Sequence, residues 1–190
     1  MTDQPIVIVS GLPRSGTSMM MKMLQAGGLP VLTDNMRTAD EDNPRGYFEF
    51  ERVKQIEEDR EWLPEARGKA VKMISALLKH LPPEYRYRVI FMQRHMNEIL
   101  ASQRQMLVRR GEDTERIDDA EMARLFARHL SQIESWLASQ PAMDVLYVHY
   151  SDVLADPAAQ AARVNAFLGG RLDEKKMAQV VDPELHRQKA

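Results

Sequence analysis

Apolar residues along this chain fall into two patterns. Four short unbroken runs, PIVIVS (5–10), AVKMI (70–74), RVIFM (88–92) and VLYVH (145–149), are rich in β-branched residues, and they predict strands buried on both faces. Elsewhere the apolar spacing changes to three and four residues. It predicts a helix over 16–26 through Met20, Met23 and Leu24, ended by Gly27 and Gly28. A second helix is expected from about Phe48 to Trp62, with Phe50, Val53 and Ile56 on one face and Pro64 as its stop. A third covers 97–110, with Asn97 as cap, Ile99, Leu100, Met106 and Leu107 inward, and Gly111 beyond its end. A long one covers 120–138, with Met122, Phe126, Leu130, Ile133 and Leu137 in register; His129 on this face reads as a packed core residue. Two more are expected at 156–170, between Asp156 and the pair Gly169 and Gly170, and at 174–181. LLKHLPPEYR is read as a short helix and turn, residues 30–46 as loop with a DNPRG turn, and the aperiodic GEDTERIDD (111–119) as a mobile flap. Strands alternating with helices predict an α/β fold, a three-layer α/β/α sandwich. Its central parallel sheet has four or five strands, with the 5–10 strand inside. Ligands of such sheets bind beyond the carboxyl ends of the strands.

Composition narrows the class. The 190 residues suit one domain, 1–190. There is no cysteine, which excludes disulfide and thiolate chemistry and suits a reducing compartment. The N-terminus lacks a signal-peptide pattern and no apolar run approaches the roughly 20 residues that span a bilayer, so a soluble, cytoplasmic chain is expected. A net charge of −2, from 26 basic and 28 acidic residues, gives no overall pull toward nucleic acid. The 13 methionines suit core packing, and no His, Asp and Glu group has metal-ligand spacing.

The most informative stretch is SGLPRSGTS (10–18), between the first strand and the first helix. Gly11, Gly16 and Ser18 match the phosphate-loop pattern G-x-x-x-x-G-K-[ST], but Thr17 stands in the lysine place. Backbone N–H groups of 13–18 at a helix N-terminus would still favour an anion, Arg14 adds a permanent cation, and Thr17 and Ser18 add hydroxyls. The missing lysine is the side chain that would reach the terminal phosphates of a nucleoside triphosphate, and no aspartate at a strand end completes a magnesium site. A second anchor lies in FMQRHMNEILAS: Arg94 follows the third strand, and Ser102 lies eight residues on in the next helix. An arginine fork and a hydroxyl there could share one phosphate.

Together these segments resemble the sulfotransferases that use 3′-phosphoadenosine-5′-phosphosulfate (PAPS), in their bacterial and Golgi-like PRSGT branch. The PRSGT loop is similar to the family's 5′-phosphosulfate loop, and the R-x7-S pair to its 3′-phosphate segment. Lys72 matches a lysine ending the family's next strand, YVHYSDVLADP places Tyr150 near the adenine, and DNPRGYFE resembles a turn common among bacterial members. The chain departs from the animal cytosolic type: Lys72, Met73 and Ile74 stand where K-T-H carries a basic histidine, and no R-K-G segment occurs near the C-terminus, where only Arg187 or Lys189 could replace it.

The resemblance implies in-line transfer of a sulfuryl group from PAPS to a hydroxyl or amine, on a small molecule or a protein side chain, without a metal. It implies donor binding by Pro13, Arg14, Ser15, Gly16, Thr17, Ser18, Arg94, Ser102 and Tyr150, and charge stabilisation by Arg14 and Lys72. Glu49 is the candidate base, with Glu51 and Asp34 competing. Two other readings stay open: a P-loop kinase or NTPase with a displaced lysine, and a non-catalytic nucleotide-binding protein of the same fold.

Overall fold

The computed structural model describes residues 4–34, 48–109, 111 and 118–182. Among them are four parallel strands, β1 (Ile6–Gly11), β2 (Ala70–Lys72), β3 (Tyr87–Gln93) and β4 (Met143–His149), in the order β2-β1-β3-β4. The fold is the expected α/β sandwich, with β1 inside. Its register pairs Val9 with both Lys72 and Ile90, and Gln93 with His149, so all four strands end at one rim. Val31 adds a single parallel bridge to Ala70 within the stretch expected as loop.

Helices cover both faces. Strand residues alternate between them: Val7, Val9, Ile90, Met92 and Val148 pack with Met20, Met23 and Leu24 of α1 (Thr17–Ala26), Val164 of α6 (Pro157–Leu168) and Met177 of α7 (Glu174–Gln179). The opposite set, Ile6, Ile8, Val71, Val89 and Phe91, packs with Trp62, with Leu63 of α2 (Leu63–Ala66), and with Ile133 and Leu137 of α4 (Asp119–Ala138). α3 (Met96–Arg109) follows β3 and α5 (Tyr150–Ala155) follows β4. Asp156 caps α6 by accepting from the Ala159 N–H at 3.0 Å, and Gly169 at φ 102° closes it, both as expected.

Three local expectations are corrected. No continuous helix joins Phe48 to Trp62; a 3-10 helix occupies Glu51–Gln55, followed by turns and then α2. The apolar residues Phe50, Val53 and Ile56 recur every three residues, which is the 3-10 repeat. Asp59 then closes the segment, taking a paired hydrogen bond from Arg52 (2.6 and 2.7 Å) that holds its carboxyl below the usual range. Pro64 does not stop a helix but sits in the first turn of α2, where its missing N–H costs nothing. Asn97 lies inside the first turn of α3; the His95 carbonyl accepts from the N–H groups of Glu98 and Ile99.

Candidate active site

The site is built at the carboxyl rim of the sheet, around the β1/β3 boundary where the chain's connections diverge, a natural ligand position. β1 turns into α1 through the 10–18 loop. Gly11 (φ 148°) allows the close approach to β3, since a Cβ there would lie 2.6 Å from the Met92 carbonyl. Arg14 is the one non-glycine residue with positive φ (70°) among the described residues, a conformation that persists only where neighbours hold it. Arg94 supplies that hold, its Nη1 donating to the Arg14 carbonyl at 3.0 Å. The first turn of α1 has neither a side-chain cap nor an acidic residue, so its N–H groups face the loop as an anion site does. The Ser10 and Ser15 hydroxyls are buried in the loop without a protein partner.

Arg14, Arg94, Ser102 and Tyr150 come together in one cluster. Arg14 Nε donates to Ser102 Oγ at 2.9 Å, joining the loop to α3. The Arg94 side chain, 9% exposed, lies over the Tyr150 ring at 4.2 Å and donates from Nε to Glu98 Oε2 at 2.7 Å. Burial pushes the Tyr150 hydroxyl above its ordinary range, while Arg94 draws it back. The same ring packs against the loop: a Cβ on Gly16, itself at φ 103°, would meet Tyr150 Cδ2 at 2.6 Å. Gly16→Ala is therefore expected to destabilise the fold by about 2–3 kcal/mol, combining overpacking with a left-handed backbone. Urea denaturation of the variant measures it.

Lys72, Ser18 and Glu49 form a second cluster. Lys72 ends β2, and its Nζ lies 3.5 Å from Ser18 Oγ and 3.9 Å from Glu49 Oε1. Glu49 is placed by its neighbours in sequence: Phe48 packs into the α1-side core and Phe50 into the α4-side core, so the chain crosses the sheet rim between them. The Glu49 carbonyl accepts from Thr33 Oγ1 (2.8 Å) and from the Asp34 N–H (3.2 Å). The competing carboxylates have other engagements: Asp34 accepts from the Glu51 N–H at 2.7 Å, and Glu51 pairs with Lys54. Pro13 is exposed, Thr17 is half-buried, and Arg187 and Lys189 lie outside the described residues.

Two polar features escape the sequence reading. Glu98 is the only Asp, Glu, Lys or Arg in the buried class among the described residues; its i+4 spacing from Arg94 was the available signal. His129 is half-buried rather than packed in the core, and its Nε2 lies 2.8 Å from the buried Ser75 hydroxyl. Burial, with Lys79 nearby, lowers its pKa. Among the described residues no cluster of His, Asp and Glu could hold a metal ion, and no helix is long and apolar enough to cross a membrane.

The rim thus carries a phosphate-type loop with Arg14, Lys72 and Arg94 around it. The chain belongs to the sulfotransferase family, whose model matches residues 33–174; the match takes in Lys72, Arg94, Ser102 and Tyr150 and begins after the loop. Similar solved structures include sulfotransferase STF1 from Mycobacterium tuberculosis (14% identity, 98% of this chain and 76% of that one, TM-score 0.61). Another is the sulfotransferase domain from the curacin biosynthetic pathway (13% identity, 94% and 78%, TM-score 0.57). A mouse sulfotransferase complexed with PAP also matches (16% identity, 98% and 65%, TM-score 0.58). No curated protein matches the sequence. The family makes the chain a transferase, and these likenesses share its fold.

Proposed function

We propose that the protein moves a sulfuryl group from PAPS to a hydroxyl or amine of an acceptor. The observation that carries this reading is that one loop, 10–18, which opens an uncapped helix at the sheet rim, contains Arg14 and is contacted by Arg94 at the Arg14 carbonyl and by Lys72 at Ser18. The buried, unpartnered hydroxyls of Ser10 and Ser15 and the close-packed glycines of the loop suit an anion held by backbone and hydroxyl groups. The PAP-bound mouse relative supports a donor of this type.

The donor supplies the sulfuryl group and departs as adenosine 3′,5′-bisphosphate. The loop, with Thr17 and Ser18, binds the 5′ side, while Arg94 and Ser102 bind the 3′-phosphate. Tyr150, wedged between Gly16 and Arg94, keeps the two halves in register and lies on the adenine side. Lys72, with Arg14 on the far side of the loop, stabilises charge that develops on oxygen during transfer, in a site where water is partly excluded. Glu49 takes the acceptor's proton. Its Oε1 lies 3.9 Å from Lys72 Nζ, at the edge of the site beside the loop.

Thermal unfolding with adenosine 3′,5′-bisphosphate beside Mg-ATP tests the reading. Bisphosphate at 100 times its Kd is expected to add about 2.7 kcal/mol of stability, with or without magnesium. A shift with Mg-ATP alone would make the protein a phosphoryl-transfer enzyme, and sulfuryl transfer absent despite bisphosphate binding would leave a binding protein.

A further inference from the structure

A carboxylate buried beside a phosphate-binding arginine is an unexpected neighbour, because it competes with the phosphate for the same charge. Glu98 holds that position. Its side chain is 5% exposed, it sits in the first turn of α3, four residues beyond Arg94 in the β3–α3 connection, and its Oε2 takes the Arg94 Nε–H at 2.7 Å. The guanidinium is fixed on two further sides, by the Arg14 carbonyl and by the Tyr150 ring. The Arg94 fork is thus oriented by the protein's own groups, and a negative charge comes with that orientation.

We propose that Glu98 is the internal counter-ion of the 3′-phosphate site, a positioning residue that orients Arg94 and limits how tightly the spent bisphosphate is held. This rests on Arg94 binding the 3′-phosphate. A dianionic phosphate docking on Arg94 enters the field of a carboxylate shielded from water, where like charges repel more strongly than at the surface. The orienting bond favours binding and the charge opposes it. Glutamine separates the two effects, because its amide oxygen still accepts from Nε while the charge is gone. The group's function is then release: a product bound through two phosphates leaves a fully cationic pocket slowly, and product release often limits turnover.

The test is calorimetric titration of wild type, Glu98→Gln and Arg94→Met with adenosine 3′,5′-bisphosphate and with adenosine 5′-monophosphate, which lacks the 3′-phosphate. Glu98→Gln is expected to bind the bisphosphate about tenfold or more tightly than wild type, with monophosphate affinity unchanged within a few-fold, so the preference between the two ligands rises. A merely structural role for Glu98 would move both ligands together or neither. Unchanged or weakened bisphosphate binding by Glu98→Gln, while Arg94→Met loses its preference, overturns the inference and leaves the 3′-phosphate assignment standing. An undiminished preference in Arg94→Met overturns that assignment itself. Should Glu98→Gln be unfolded when empty, its folded fraction is titrated against each ligand: recovery by bisphosphate at concentrations where monophosphate does nothing supports the inference, and equal recovery by both overturns it.

Discussion

The Lys72→Met protein is expected to turn over about 10²–10³ times more slowly than wild type while binding adenosine 3′,5′-bisphosphate within a few-fold of it. Methionine keeps the length of the stem and removes only the charge. That stem is largely enclosed, the lysine side chain being 16% exposed, so its ammonium acts where water screens it poorly. Its neighbours are Ser18 of the loop and Glu49 of the crossing segment, and in the proposed function these are the donor's 5′ side and the base. Charge that appears only in the transition state is what such a cation stabilises, so the loss falls on kcat rather than on ground-state binding. Glu49→Gln is expected to fall by a comparable 10²–10⁴-fold, the usual worth of a general base. Because the two groups touch, the double variant is expected to be little slower than the slower single one. Single-turnover rates beside bisphosphate titrations decide it, and normal turnover in Glu49→Gln would remove that residue from the role.

Arg94→Ala is expected to weaken bisphosphate binding by about 2–5 kcal/mol and to destabilise the empty protein by about 3–5 kcal/mol as well. The two losses have separate causes. The first is the missing phosphate contact. The second comes from breaking the buried pair with Glu98, whose partners are both at least nine-tenths enclosed. A double variant, Arg94→Ala with Glu98→Ala, should recover much of the stability but only the part of the affinity that the Glu98 charge takes away. Denaturant titration and calorimetry on the same samples separate the two, and an Arg94→Ala protein with unchanged bisphosphate affinity would exclude Arg94 from the nucleotide site.

The sheet was legible because its signals are local. Ile6–Val9 and Val89–Met92 are apolar on both faces, and only a covered parallel strand tolerates that. Loop 10–18 was legible for a similar reason, since glycine spacing after a strand fixes a turn whatever surrounds it. The segment from Phe48 to Trp62 was not, because Phe50 and Val53 three apart satisfy helical and 3-10 spacing alike, and the choice lies with Trp62 and Asp59 packing behind it. Glu49 could be named as a candidate from its neighbours, but its nearness to Lys72 depends on Phe48 and Phe50 entering opposite cores, a tertiary fact. Glu98 was overlooked for the opposite reason: an acid four residues after an arginine is ordinary on a helix surface, and only burial makes it consequential.

The parallel sheet also sets when the site comes into being. Among the described residues no strand pairs with its neighbour through a hairpin: Val7 waits for Ala70, Ile6 for Tyr87, and Tyr87 for Met143. Contacts between such distant residues are slow to form, since the chain must be closed into large loops before they return any stability. On a ribosome, the loop at 10–18 is made early, yet Tyr150, which braces both Gly16 and Arg94, is among the last of the site residues to emerge. A nascent chain short of that tyrosine carries the loop without the wall that shapes it, so the loop takes its final form late in folding rather than at its beginning.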